Sequence, residues 1–128
     1  MTNEEIVRSY YEARIRGDAE EFWQNHVADD VSYHLPAHNA LGGDFYGKSD
    51  VRKALAAIFE LSGNTFKSQA IDITSSASHV VALVRATAQR EGKFLDSRQA
   101  HVFEIVGGRI VRISIYAYDR YAVDAFWN

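Results

Sequence analysis

An imidazole that titrates near neutral pH, a carboxylate and a phenol are common groups for moving protons. This chain offers His101, Asp119 and Tyr10, with His34 as a second imidazole, among apolar neighbours that would tune them. His101 lies in the alternating run Gln99, His101, Phe103, Ile105, on the apolar side of an expected strand. There an imidazole serves as acid, base or hydrogen-bond donor, or else as a core histidine satisfied by a backbone carbonyl. His34 stands beside the only proline, Pro36, and strand parity sets it opposite Val31, Tyr33 and Leu35, so it turns inward only if a bulge intervenes. Asp119 follows a strand pattern and precedes Tyr121, Ala122 and Val123, so it reads either as a pocket carboxylate or as a helix N-cap. Tyr10 either gives its hydroxyl to a pocket or packs as core on a helical stripe. Trp23, Tyr33, Phe59, Phe103 and Trp127 are candidate ligand-binding walls, or ordinary core.

Other chemistries lack their residues. With no cysteine, disulfides, thiolate catalysis and Cys-ligated metal are excluded. The one histidine pair at an interval of four, His34 and His38, falls on a segment holding Pro36, where that interval does not put both rings on one face; no metal site is expected. Gly47-Lys48-Ser49 lacks the leading strand and glycine of a phosphate loop, and no Gly-x-Ser-x-Gly elbow occurs. The formal charge is -3 and the Lys and Arg are scattered, which argues against nucleic acid. Residues 1–17 lack the apolar stretch of a secretory signal and no run approaches a membrane span, so a cytoplasmic location without membrane contact is expected.

The elements that must position these groups are legible in part. Thr2 with Glu4 and Glu5 is a helix start, and Ile6, Tyr10, Ala13 and Ile15 form an approximate stripe ending at Gly17. Asp18 is expected to cap a second helix carrying Phe22, Trp23 and Val27, ended by Asp29 and Asp30. Val31–Leu35 reads as a short strand that Pro36 makes an edge strand or ends. Residues 37–47 read as a loop, after which Ser49 or Asp50 caps a third helix to about Leu61, with Val51, Leu55, Ile58 and Phe59 inward.

From Thr65 the helical period gives way to four β-rich stretches, Phe66–Thr74, His79–Arg90, Phe94–Val106 and Arg109–Tyr118, with hairpin turns at Glu91-Gly92 and Gly107-Gly108. In the last, Val111, Ile113, Ile115, Ala117 and Asp119 share a face by alternation. Helices followed by a run of antiparallel strands, without a linker, predict one α+β domain over 1–128, its curved sheet packed against three N-terminal helices.

Several local phrases, in order, resemble the nuclear-transport-factor-like superfamily, in its SnoaL-like and ketosteroid-isomerase-related branch. They are Gly17-Asp18, Ala28-Asp29-Asp30-Val31, Tyr33-His34-Leu35-Pro36 with Phe45-Tyr46-Gly47, His101-Val102-Phe103, Gly107-Gly108-Arg109-Ile110-Val111, and Tyr118-Asp119 before a short tail helix with Phe126-Trp127. The resemblance implies a cone-shaped fold enclosing a pocket for a small hydrophobic molecule, without a cofactor. It sets Tyr10 at the oxyanion-hole tyrosine of ketosteroid isomerase and His101 at its oxyanion-hole aspartate. The base position falls on Leu35, or on His34 after a shift of one residue. Asp119 resembles the late acid/base aspartate of SnoaL-like cyclases. The implied activity is acid/base isomerisation, cyclisation or hydration of a small carbonyl-type substrate. The alternatives are a noncatalytic small-molecule binding module and a dimeric interaction domain. A homodimer through the outer sheet face is expected, because Val81, Leu83, Val102 and Tyr116 would otherwise expose an apolar patch.

Overall fold

The computed structural model describes residues 1–17 and 19–128. Thr2 opens α1 (Asn3–Arg16) with a capping box: its hydroxyl accepts the Glu5 amide and the Glu5 carboxylate accepts the Thr2 amide. Two donors that a helix start would leave unpaired are thereby satisfied. Gly17 ends the helix in the left-handed region, at φ 82°, as expected. The expected cap Asp18 lies outside the described residues. α2 (Ala19–His26) buries Phe22 and Trp23.

Here the chain departs from its sequence reading. α2 stops at His26, and Val27 is already the first residue of β1 (Val27–Leu35), with Asp29 and Asp30 exposed inside the strand. The pairing with β6 is irregular between Val27 and Ser32, which lets the two aspartates bulge into water while Val27 and Val31 stay buried. Pro36 follows the last residue of β1, but β1 is not an edge. A short strand inside the expected loop, β2 (Gly43–Tyr46), pairs antiparallel with it and takes the edge. Gly-Asp-Phe-Tyr has no apolar–polar alternation to announce a strand. α3 (Lys48–Leu61) begins ahead of both expected caps, with Gly47 at the N-cap and no side-chain cap; Val51 and Ile58 are buried, Leu55 and Phe59 half-buried.

The meander follows as expected: β3 (Lys67–Ser75), β4 (His79–Arg90), β5 (Lys93–Val106) and β6 (Arg109–Ala117), then α4 (Arg120–Trp127). Gly107 and Gly108 both have positive φ, 58° and 77°, the pair that a two-residue type I′ hairpin requires. The strands form one curved, open sheet in the order β2-β1-β6-β5-β4-β3. All neighbours are antiparallel except β1 and β6, which run parallel. The intervening helix and meander supply the long crossover that a parallel pair needs.

Helices cover the inner face of the sheet, where Val80, Ala82, Val84, Phe103, Ile113 and Ile115 are buried. A bulge at Val111 of β6, opposite Glu104 and Ile105 of β5, resets parity along β6, so Ile110 is fully buried and Val111 only half so. The apolar interior forms two clusters: one beneath α1 and α2 centred on Tyr10, Tyr33 and Phe103, the other joining Leu41, Ile58, Leu95, Val123, Phe126 and Trp127 beneath α4.

Candidate functional site

Between the two clusters lies a cavity of about 50 Å³. That is room for on the order of four water-sized spheres, well short of the ~300 Å³ of a drug-sized pocket. One side is mainly apolar, with Leu35, Leu41, Leu55, Ile58, Val123 and Trp127 beside the single amide of Asn39. The other gathers Tyr10 and Arg14 of α1, Tyr33 of β1, Ser68 of β3, and Gln99 and His101 of β5.

His101 reaches this wall by strand alternation, as the sequence predicts, and it is buried. Both ring nitrogens are engaged. Nδ1 stands 2.6 Å from the Tyr11 hydroxyl and Nε2 stands 2.8 Å from Gln99 Oε1. Since the Gln99 oxygen can only accept, Nε2 carries the proton and Nδ1 accepts the Tyr11 O–H. Burial, with the nearby Arg14 charge, lowers the His101 pKa to about 3, so the ring is neutral at pH 7. Burial also raises the pKa of Tyr10, Tyr11 and Tyr33, which therefore remain hydrogen-bond donors. Tyr10, Tyr11 and Phe103 pack edge to face, with centroids 5.1 to 6.1 Å apart, which fixes both phenols.

Among the described residues, the lining includes no Asp or Glu, and Arg14 is its one charged side chain. No group of His, Asp and Glu among them could hold a metal ion. The arrangement can donate neutral hydrogen bonds to an oxygen and meet a negative charge; it holds no carboxylate ready to take a proton.

Of the residues singled out from sequence, His101, Tyr10, Tyr33, Phe103 and Trp127 line the cavity. The others lie elsewhere. Asp119 is exposed and caps α4, its carboxylate accepting the Ala122 amide at 3.0 Å. The alternation that seemed to carry it inward ends with β6 at Ala117. His34 keeps its parity on the face away from the cavity. Nδ1 is 2.7 Å from Asp44 Oδ1 and Nε2 is 2.9 Å from Ser32 Oγ. That linkage has the order of a nucleophilic triad, but here it lies outside the cavity and ties β1 to the edge strand β2. Trp23 is buried under the Arg52 guanidinium, 5.3 Å from its ring, and Phe59 lines an outer groove.

The sequence reading passed over Tyr11, Arg14, Gln99 as a hydrogen-bond partner, and Ser68. A signal was present for Arg14: it follows Tyr10 by four and Tyr11 by three, the spacing of one helix face. The approximate stripe ran instead to Ile15, which is 83% exposed.

At the apolar end, the segment after β1 is strapped to α4. Asp124 Oδ1 accepts from Asn39 Nδ2 at 2.7 Å and from the His38 amide at 3.0 Å, and the Asn128 side chain donates to the His38 carbonyl. The turn at Gly42 is tight: a Cβ there would stand 2.5 Å from the Ala37 carbonyl oxygen. No helix among the described residues is long and apolar enough to cross a membrane.

Comparison with known proteins agrees with this architecture. The chain is 35% identical over 124 residues to the uncharacterized protein Rv0034 of Mycobacterium tuberculosis, covering 96% of this chain and 94% of that one. The solved structure of Bal32a, from a soil-derived mobile gene cassette, superposes with a TM-score of 0.90 at 31% identity, covering 97% of this chain and 95% of that one. A putative SnoaL-like polyketide cyclase from Jannaschia sp. CCS1 shares the fold, with a TM-score of 0.79 at 14% identity over 96% of this chain and 89% of that one. The profile of the SnoaL-like domain matches residues 7–113, and with the cone of sheet and helices now described, the chain belongs to the SnoaL-like family.

Proposed function

We propose that this protein holds a small, largely apolar carbonyl compound in the cavity and polarises its oxygen with neutral donors. The observation that carries the reading is the ordered polar wall: Tyr10 and Tyr33 kept protonated by burial, beside a neutral His101 fixed by Tyr11 and Gln99. Such preorganised donors are the part of isomerase and cyclase chemistry that stabilises a developing oxyanion. The other part, a base, has one candidate in the wall, His101, which must give up a hydrogen bond before it takes a proton. Binding with polarisation is therefore the primary reading, and turnover without a cofactor is the extension of it.

Proton exchange separates the two. Cyclopentanone in D2O would be followed by NMR with the wild type and with His101→Gln. Protein-dependent loss of the α-proton signal, absent in the variant, supports an acid/base enzyme. Ligand-induced shifts without exchange support a noncatalytic binding module. Neither shifts nor exchange across a panel of small ketones overturns the reading.

A second observation supports self-association through the outer face of the sheet. Leu83, Ala100 and Tyr116 are register partners across β4, β5 and β6, and Leu83 and Tyr116 are about half exposed, at 49% and 54%, near Ile71. An apolar row of this kind fits a second copy. Light scattering should give a dimer for the wild type and a monomer for Tyr116→Arg; a wild-type monomer at micromolar concentration refutes it.

A further inference from the structure

The cavity carries a charge that its own walls do not balance. Arg14 is half-buried, and its guanidinium lies 5.0 Å from the Phe59 ring centroid and 5.7 Å from that of Tyr10. Nη1 donates to Ser68 Oγ at 3.4 Å. Other arginines are matched with carboxylates: Arg52 with Glu20, Arg85 with Asp96, Arg112 with Glu104. Among the described residues, no Asp or Glu forms an ion pair with Arg14. A cation drawn out of water against apolar surface is costly unless an anion meets it.

Its position also points to a ligand. Arg14, Phe66 and Ser68 line both the inner cavity and an outer groove of about 560 Å³, so the guanidinium stands at the neck between them. The groove is bordered by Lys67, which adds positive charge along the approach, and by Arg85, whose charge Asp96 meets. The Phe59 and Tyr10 rings lie against the guanidinium carbon, and a guanidinium presents parallel N–H donors that match the two oxygens of a carboxylate.

We infer that the ligand of this cavity is a small organic acid. Its carboxylate pairs with Arg14 and Ser68 at the neck, and its apolar body points inward toward Phe103 and Trp127. The inference rests on the ligand-pocket reading above and adds the ligand's charge and orientation. It also accounts for the size of the cavity: a slim apolar body occupies the inner space while the charged end remains at the junction with the groove.

Calorimetric titration with matched acid and amide pairs tests it, because each pair keeps the body and changes the charge: butyrate with butyramide, and benzoate with benzamide. At pH 7 and low salt the wild type should bind each acid about tenfold or more tightly than its amide, and added salt should weaken the acids alone. Arg14→Gln should abolish the preference while leaving amide binding in place, and Arg14→Lys should keep part of it; thermal unfolding verifies that each variant is folded. Equal affinity for acid and amide in the wild type, or a preference that survives in Arg14→Gln or is untouched by salt, overturns the organic-acid assignment and leaves the pocket standing. If neither member of either pair binds the folded wild type while small ketones do, this inference falls and the pocket reading stands; if the ketones fail as well, both fall.

Discussion

At the α1 end of the cavity, two polar groups are held by specific partners, His101 between Tyr11 and Gln99 and Arg14 against Ser68 and two rings. At the α4 end, Leu41, Val123 and Trp127 enclose the same space mainly by apolar contact, with Asn39 among them and its side-chain amide donating to Asp124 of α4. Hydrogen bonds are directional and fix groups for chemistry, whereas apolar contact closes a volume without selecting an orientation. The difference suggests a division of labour in which one end recognises an oxygen or a charge and the other accepts whatever body fits.

The largest effect should come from breaking the apolar end. Trp127 is buried between Phe66 and Phe126, and Trp127→Ala should cost about 3 to 5 kcal/mol in chemical denaturation. A cost below about 1 kcal/mol would mean that α4 is not a structural wall.

The polar end should reveal itself through pH. The folded His101 has its pKa lowered to about 3, below the ordinary value of 6.5, so between these limits the unfolded chain binds the extra proton. Its contribution is complete above pH 6.5 and is lost as pH falls toward 3. The slope approaches about 1.4 kcal/mol per pH unit. The window from about 6.5 down to 4.5 is the cleanest, because below it the depressed carboxyls of Glu5, Glu20 and Asp96 also titrate. Stability measured across that window should fall for the wild type and stay nearly flat for His101→Gln; parallel curves would show that His101 is not buried neutral.

A smaller effect is expected for Tyr11→Phe. It keeps the ring packing and removes the donor to His101 Nδ1, leaving a buried acceptor unpaired at a cost of about 1 to 3 kcal/mol. A change no larger than that of an exposed tyrosine such as Tyr118 would break the claim that this end depends on pairing.

The smallest effect should be that of Asp119→Asn, within about 0.5 kcal/mol of the wild type, because Asn caps a helix nearly as well as Asp. Binding or exchange activity should be unchanged. A loss of activity by a factor of order one hundred, with stability intact, would bring Asp119 into the chemistry and end the division of labour drawn here.

What the sequence determined by itself was local. Thr2 and Glu5 announced the start of α1, Gly17 its end, the Gly107-Gly108 pair its hairpin, and the alternation in β5 placed His101 and Phe103 on the inner face, because each rests on backbone geometry set within a few residues. The run of family-like phrases went further and led to the SnoaL-like cone. What tertiary structure alone decided was which neighbour each segment meets. β2 became a strand only because β1 lay beside it, β6 ran parallel to β1 only after a long crossover, and two bulges shifted which residues face inward. Of its two expected places Asp119 took the helix cap because the strand ended before reaching it, while Arg14 gained a place because Phe59 and Ser68, distant in the chain, converge with Tyr10 around it. Periodicity tells which side of an element a residue occupies; only the packing of one element on another tells whether that side is a wall, an edge or a binding site.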